Sequence, residues 1–327
     1  IGIVRDITER KKIDDQLLES EKHKKQLLNS LKDGIYQCEP HVEGVFTWVN
    51  QACAEMFGYK SAEEMIGTKV KYVYANGEER MRFIERLVKE GFARNINALF
   101  KKKNGECFFV ERTSHIMRDE KGKPVRIEGI IRDITERKES ERRLNAQHSV
   151  TRVLSESSTL KEASQNILQA VCEALNWDFG VVWMHNSQDN VLYCTELWQN
   201  PNIEISEFKE QTKGITFSPG IGLPGRVWSS GKPAWIIDVI MDKNFPRAAS
   251  AKKAGLHGAF GFPIIINKVV LGTIEFFSNK PQEPDNNLLN MMSAVGNQVA
   301  QFIKRNQAIN DLIESEEKLN KITSAAN

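Results

Sequence analysis

Gly129-Ile130-Ile131-Arg132-Asp133-Ile134-Thr135-Glu136-Arg137-Lys138 repeats Gly2-Ile3-Val4-Arg5-Asp6-Ile7-Thr8-Glu9-Arg10-Lys11 with a single change. Ile130, Ile131 and Ile134 suit the end of a buried strand. Asp133 or Thr135 can cap the first free amides of a helix, and Glu136 puts an acidic group in its opening turn. Strand is therefore expected to run into helix with almost no flexible linker. A second echo links Leu17-Leu18-Glu19-Ser20-Glu21-Lys22 to Leu312-Ile313-Glu314-Ser315-Glu316-Glu317. Recurrences of this kind mark tandem modules. The expectation is that residues 1–7 close one module and that residues 306–327 form a linker helix into another.

Outward from the junctions, residues 8–32 and 135–157 read as connecting helices. Ile13, Leu17, Leu27 and Leu31 make a heptad-like stripe, interrupted at Ser20 and Lys24; Leu144, Val150 and Leu154 make a sparser one. A parallel homodimer seam is expected from such stripes, against the simpler reading of a solvated connector.

Between the connectors, residues 34–38 and 45–49 read as strands, and 51–57 and 61–66 as short helices, with Ser61 and Glu64 in a capping-box pattern. Residues 77–89 make an amphipathic helix with Met81, Ile84 and Val88 on one face. Strands at 92–101, 107–117 and 125–134 follow, separated by Asn104-Gly105 and Lys121-Gly122 turns. Beyond the second connector, a helix at 160–175 precedes a hairpin at 179–185 and 191–197. A Gly/Pro-rich turn at 219–225 opens a short helix, strands at 258–266 and 269–277 turn at Asn267-Lys268, and a helix at 285–305 closes the module. Leu288, Met292, Val295, Val299 and Ile303 fall on one face of that helix, as core positions do. The fold class is α+β: two antiparallel sheets with flanking helices, joined by long linker helices.

The 327 residues suffice for two or three domains, and 40% of them are hydrophobic. With 45 basic and 43 acidic side chains, the chain lacks the electrostatic footprint of a nucleic-acid binder. No apolar run has the length of a membrane span, so no membrane contact is expected of this segment. Cys38, Cys53, Cys107, Cys172 and Cys194 form neither a CxxC pair nor a Cys/His cluster. That pattern suits a reducing compartment, hence a cytoplasmic location, and gives no metal site.

Residues 33–134 resemble the PAS family with its C-terminal extension, through Asp33-Gly34, Asn50-Gln51-Ala52, Phe57-Gly58-Tyr59, Lys103-Asn104-Gly105-Glu106 and Gly129 through Thr135. Residues 158–305 resemble the GAF family, through Gly222-Leu223-Pro224-Gly225, Trp228, Gly231-Lys232-Pro233, Gly258 through Pro263 and Leu271-Gly272. By the same resemblance, residues 1–7 would end a preceding PAS-like module. The pair resembles the input region of a multidomain sensor histidine kinase or cyclic-dinucleotide signalling protein. That resemblance implies a non-catalytic sensory segment of a two-component or related system. Ligand binding or dimer rearrangement would be coupled to an output enzyme outside this segment, a histidine kinase or a diguanylate cyclase. The alternatives are a dimerisation or protein-binding scaffold without a ligand, and a light or redox sensor with a bound cofactor.

The cofactor is unknown, and the sequence supports no flavin, bilin or haem. The PAS-like part lacks the Asn-Cys-Arg-Phe-Leu pattern of a photoreactive flavin site. Residues 248–258 lack the Cys-His pair of a bilin site, and the surroundings of Asn279-Lys280 lack the Phe and Asp-Glu expected for a cyclic nucleotide. There is no Gly-x-Ser-x-Gly elbow and no Walker motif, so no catalytic residue is assigned. Trp183, Trp198, Trp228 and Trp235 are candidate cavity walls in the GAF-like part, where a small-molecule ligand is expected. Asp238, Phe245, Arg247 and His257 are candidates in the crossover before Gly258, with Arg247 suited to grip an anion. In the PAS-like part, Tyr36, Phe92, Phe109 and His115 are candidates to line a cavity between sheet and helices, though a filled core needs the same residues. Alternation with Phe109 and Met117 places His115 on their face, which is expected to point inward. Asp133, Ile134 and Thr135 are the candidate signal linker.

Overall fold

The computed structural model describes residues 31–325 together with Glu19 and His23. The first copy of the repeat and most of the connector expected at 8–32 lie outside the described residues. Glu19 and His23 are helical, whereas Leu31 is exposed and outside any helix. Two compact units, Ile1–Glu139 and Ser140–Asn327, divide the chain.

In the first unit, β1 (Gly34–Cys38) pairs with β2 (Phe46–Val49). Then come α1 (Gln51–Met56), α2 (Ala62–Met65), a 3-10 turn (Val70–Val73) and α3 (Gly77–Glu90). β3 (Phe92–Lys101), β4 (Cys107–Arg118) and β5 (Pro124–Asp133) complete an antiparallel sheet of order β2-β1-β5-β4-β3. Asn50 anchors the turn into α1. Its side chain accepts from the amides of Cys53 (3.0 Å) and Ile35 (2.9 Å) and donates to the Asp33 carbonyl (3.1 Å). A cap bonded on both sides and fully buried fixes the helix against the first strand. Ser61 caps α2 as its capping-box pattern predicts, and the Glu64 carboxylate returns a bond to the Lys60 amide.

The inward face of this sheet carries Tyr36, Cys38, Phe108, Val110, Arg112, Ser114, Ile127 and Ile131. Phe109, His115 and Met117 therefore lie on the opposite face, the reverse of the sequence expectation. Alternation gives the period of a strand but not its phase, and a one-residue error flips every side chain. The same holds for α3, which buries Phe83, Ile84 and Leu87 while Met81 and Val88 are exposed. Ile130 is likewise exposed, whereas Ile131 and Ile134 are buried.

Gly129, the first residue of the repeated stretch, stands opposite Tyr36 on one side and Ser114 on the other. The Tyr36 hydroxyl crosses over it to Ser114 Oγ at 2.7 Å. A Cβ at position 129 would stand 2.7 Å from both side chains, so only glycine leaves the bridge room. After β5, the Asp133 carboxylate accepts from the Thr135 amide (2.8 Å), and Thr135 Oγ1 accepts from the Phe109 amide (3.0 Å). The buried Ile134 donates its own amide to the Phe109 carbonyl at 2.9 Å. Helix α4 (Thr135–Glu156) starts at this clamp.

In the second unit, α5 (Leu160–Leu175) leads to β6 (Phe179–Asn186) and β7 (Val191–Gln199). α6 (Ser206–Gly214), β8 (Thr216–Phe217), α7 (Gly222–Ser230), β9 (Ala234–Ile236) and α8 (Ala248–Lys253) follow. β10 (Ala259–Ile266), β11 (Val269–Phe277) and α9 (Asn286–Ala325) end the described chain. The antiparallel sheet has the order β8-β7-β6-β11-β10-β9. One face packs Val182, Phe260, Phe262, Ile274 and Phe276 against α5, α9 and Ala146 and Val150 of α4. Leu288, Met292, Val295, Val299 and Ile303 of α9 are all buried there. Gly296 brings α9 onto β10 so closely that a Cβ would stand 2.0 Å from the Pro263 carbonyl oxygen. The helix expected to close at 305 runs without a break to Ala325, 40 residues in all, and Ile309, Leu312 and Ile313 on its later half are exposed. Among the described residues, no helix is long and apolar enough to cross a membrane.

Candidate functional site

Each unit buries charge in its core. In the second unit the other sheet face presents Phe179, Val181 and Trp183 from β6 and Phe277 from β11, covered by Phe208, Phe217, Leu223, Val227 and Phe245. Arg247 enters this apolar layer from the start of α8, and Glu275 rises from β11; both are 1% exposed or less. Arg247 Nη2 meets Glu275 Oε1 at 2.5 Å, and Trp183 Nε1 donates to the same oxygen at 2.9 Å. Arg247 Nη1 donates to Thr212 Oγ1 at 3.1 Å. The guanidinium lies between 5.1 and 5.4 Å from the ring centres of Trp183, Phe208, Phe217, Phe245 and Phe277. Burial pushes the Glu275 carboxyl above the ordinary carboxylate range; Arg247 and the Trp183 N–H pull it back. Arg247 Nε, Glu275 Oε2 and Thr273 Oγ1 are left without a hydrogen-bond partner.

The first unit buries two arginines. Arg80 of α3 reaches the loop after β1, where Nη2 donates to the Glu39 and His41 carbonyls at 3.1 and 3.2 Å. Arg112 of β4 donates to the Tyr74 hydroxyl and stands over the Phe83 ring, 3.5 Å from its centre.

The PAS domain model matches residues 33–136, and the GAF domain model matches residues 157–304. The chain carries a PAS domain followed by a GAF domain. Among solved structures, a GAF domain from an Acinetobacter phosphoenolpyruvate-protein phosphotransferase is 14% identical and has a TM-score of 0.43, covering 52% of this chain and 97% of its own. A PAS domain from Colwellia psychrerythraea is 22% identical, with a TM-score of 0.31, covering 35% of this chain and 97% of its own. The PAS domain of an HTR-like protein from Haloarcula marismortui is 22% identical, with a TM-score of 0.31, covering 38% and 99%. No curated protein matches the chain.

In the GAF domain the four candidate tryptophans divide between the two sheet faces. Trp183 is buried beside Arg247, and Trp228 packs on the same side with its ring 4.8 Å from His185. Trp198 and Trp235 pack on the helix-covered face, where Trp235 stacks on Phe260 at 5.5 Å and donates Nε1 to the Gln282 carbonyl. Arg247 is not a solvated loop residue: its guanidinium is engaged by Glu275. Phe245 belongs to the ring shell around it. Asp238 and His257 pair with each other at 3.1 Å, half-buried, and make no bond to Arg247.

In the PAS domain Tyr36 points inward as expected. Phe92 is half exposed and carries the Arg94 guanidinium over its ring, whereas Phe109 lies on the outer face. His115, also outward, stands 3.4 Å from Glu128. Arg80, Arg112, Asp178 and Glu275 are buried charged groups outside the set expected from the sequence. A charged residue at an inward strand position, as in Phe108-Val110-Arg112-Ser114 or Thr273-Glu275-Phe277, is the signal that points to two of them. Among the described residues, no group of three or more His, Cys, Asp or Glu could hold a metal ion.

Proposed function

We propose that this chain is a non-catalytic sensory and signal-transmitting segment, acting as a cytoplasmic homodimer. Changes in the PAS or GAF core are passed through helices continuous with the sheets to an output module such as a histidine kinase or diguanylate cyclase. PAS and GAF domains are sensory or regulatory modules. The observation that carries the reading is the clamp after β5. Asp133, Ile134 and Thr135 lock the first turn of α4 onto the Phe109 backbone, and the same helix places Ala146 and Val150 in the GAF core. A shift of the PAS sheet would thereby reach the first turn of α4.

Ile134→Gly removes a buried side chain worth about 2–5 kcal/mol and a constraint on the helix start. Hydrogen exchange is expected to rise across residues 135–156 as well as in β5, with a smaller rise of the same pattern in Ile134→Val. Exchange altered only at residues 133–135 in both variants would make the junction a passive tether. A second reading, a scaffold whose GAF domain only packs, is favoured by one feature: the ring shell fills the face where a ligand was expected, and Arg247 already has Glu275.

A further inference from the structure

Among the described residues, the buried face of the PAS sheet and the buried side of α3 carry two guanidinium groups and no buried carboxylate. Arg80 is 1% exposed and Arg112 is 4% exposed. Their partners are neutral: two backbone carbonyls and Cys38 Sγ at 3.6 Å for Arg80, the Tyr74 hydroxyl and ring faces for Arg112. Among the described residues, no Asp or Glu pairs with either one, and Nε of each has no hydrogen-bond partner.

The groups around the two arginines do not supply the missing charge. Burial pushes the Tyr36 phenol up, and it pushes the Cys38 thiol up against the pull of Arg80 and Arg112, so both remain neutral. Cys38 lies in the field of both arginines. Tyr74 accepts from Arg112. Phe83, whose ring lies under the Arg112 guanidinium, is one turn along α3 from the buried Arg80, so the two cations share one neighbourhood. Carbonyl dipoles and ring quadrupoles satisfy direction, yet they leave a net positive charge out of water, which a folded core tolerates poorly. The GAF core is the internal contrast: its one buried guanidinium meets a carboxylate at 2.5 Å.

We propose that the PAS core takes up one small anion, a halide or a short carboxylate, between Arg80 and Arg112. Close ring packing around Arg112, with Tyr74 and Phe100 centres 4.8 Å apart, favours an ion of a few atoms over a ring-bearing ligand. An anion there joins α3 to β4, so its arrival and loss would be felt as a change in how the helices sit on the sheet. This proposal does not rest on the helix relay and stands or falls apart from the Ile134 test.

The test uses the full chain at constant ionic strength, exchanging gluconate for bromide or formate. Binding stabilises the folded state by mass action, so ten times the dissociation constant slows globally exchanging amides about elevenfold. Saturable slowing of that kind is expected in α3 and β4 but not in the strand carrying Glu275. Arg112→Met and Arg80→Met should each abolish it. Should either variant fail to fold, crystals of the unaltered chain grown in bromide decide the matter through an anomalous peak in contact with both guanidinium groups. Equal exchange in all three salts, slowing of equal size in both domains, or bromide peaks confined to the surface would each overturn the proposal.

Discussion

Glu275→Gln is the sharpest perturbation of the GAF core. It keeps the shape of the side chain and an oxygen for the Trp183 N–H, but it removes the negative charge bonded to Arg247. A guanidinium stays charged wherever it is placed. Breaking one side of a fully buried pair typically costs 3–5 kcal/mol. Because five ring faces already surround Arg247, the lower end is expected, about 3 kcal/mol, or about 10 °C in the melting of a domain of this size. Arg247→Met behaves differently, because the stranded carboxyl can neutralise itself by taking a proton. With its folded pKa raised above the unfolded 4.5, Glu275 contributes no penalty below that pH. It destabilises progressively as pH rises through the folded value. The loss in Arg247→Met should thus grow as pH rises above the unfolded 4.5, while that in Glu275→Gln stays nearly flat. The double variant should recover about 2–3 kcal/mol of the summed losses. Urea unfolding followed by tryptophan fluorescence reports on this domain, since every tryptophan except Trp48 lies within it. Single losses below about 1 kcal/mol that simply add in the double variant would refute the view that these two residues act as one buried unit.

Three further outcomes follow from other parts of the chain. Gly296→Ala improves intrinsic helix propensity by about 1 kcal/mol, yet its Cβ would stand 2.0 Å from the Pro263 carbonyl oxygen. Net destabilisation is expected on thermal unfolding, and a rise in the melting temperature would show that α9 can shift off β10. Asp33 is held below the usual carboxylate range chiefly by its hydrogen bonds to Arg132. Its contribution is present above the unfolded pKa of 3.8 and fades as pH falls through the lower folded value. Asp33→Asn should therefore reduce the acid sensitivity of the PAS domain by at most about 1 kcal/mol, because Arg132 is exposed; an unchanged acid melting profile would discard this contribution. Sedimentation over a wide concentration range should give a dimer, weakened by Leu312→Glu on the exposed later half of α9; a monomer throughout would end the dimer proposal.

Much of the fold is written in local chemistry. Caps and turns such as Ser61 with Glu64, Asn267-Lys268 with both residues at positive φ, and Gly231 at a left-handed helix end locate elements to within a residue or two. Facing is harder. Phe109 and Phe108 compete for the inward position on β4, and Met81 and Phe83 compete on α3. The choice depends on strands and helices distant in sequence. The buried charges are harder still. Arg247 looks like a solvated loop residue because the partner that explains its burial is Glu275, on a strand two turns and a helix later. Arg80, on a helix, has no such strand signal: charge predicts exposure, and the exceptions are set by tertiary packing.

The unbroken run of α9 makes the number of residues after the GAF core an angular quantity. Its first half is fixed to the sheet by Met292, Val295, Val299 and Ile303, and its later half shares the same backbone with no glycine or proline to absorb rotation. Each residue adds about 100° of turn and about 1.5 Å of rise. One residue inserted after Arg305 would leave the GAF core untouched, yet it would swing Ile309, Leu312 and Ile313 to another bearing. Seven inserted residues would bring them back to within about 20° while moving them about 10 Å outward. Whatever engages that stretch reads a phase, so tolerance to insertions there should rise and fall with the helical period rather than decline with length.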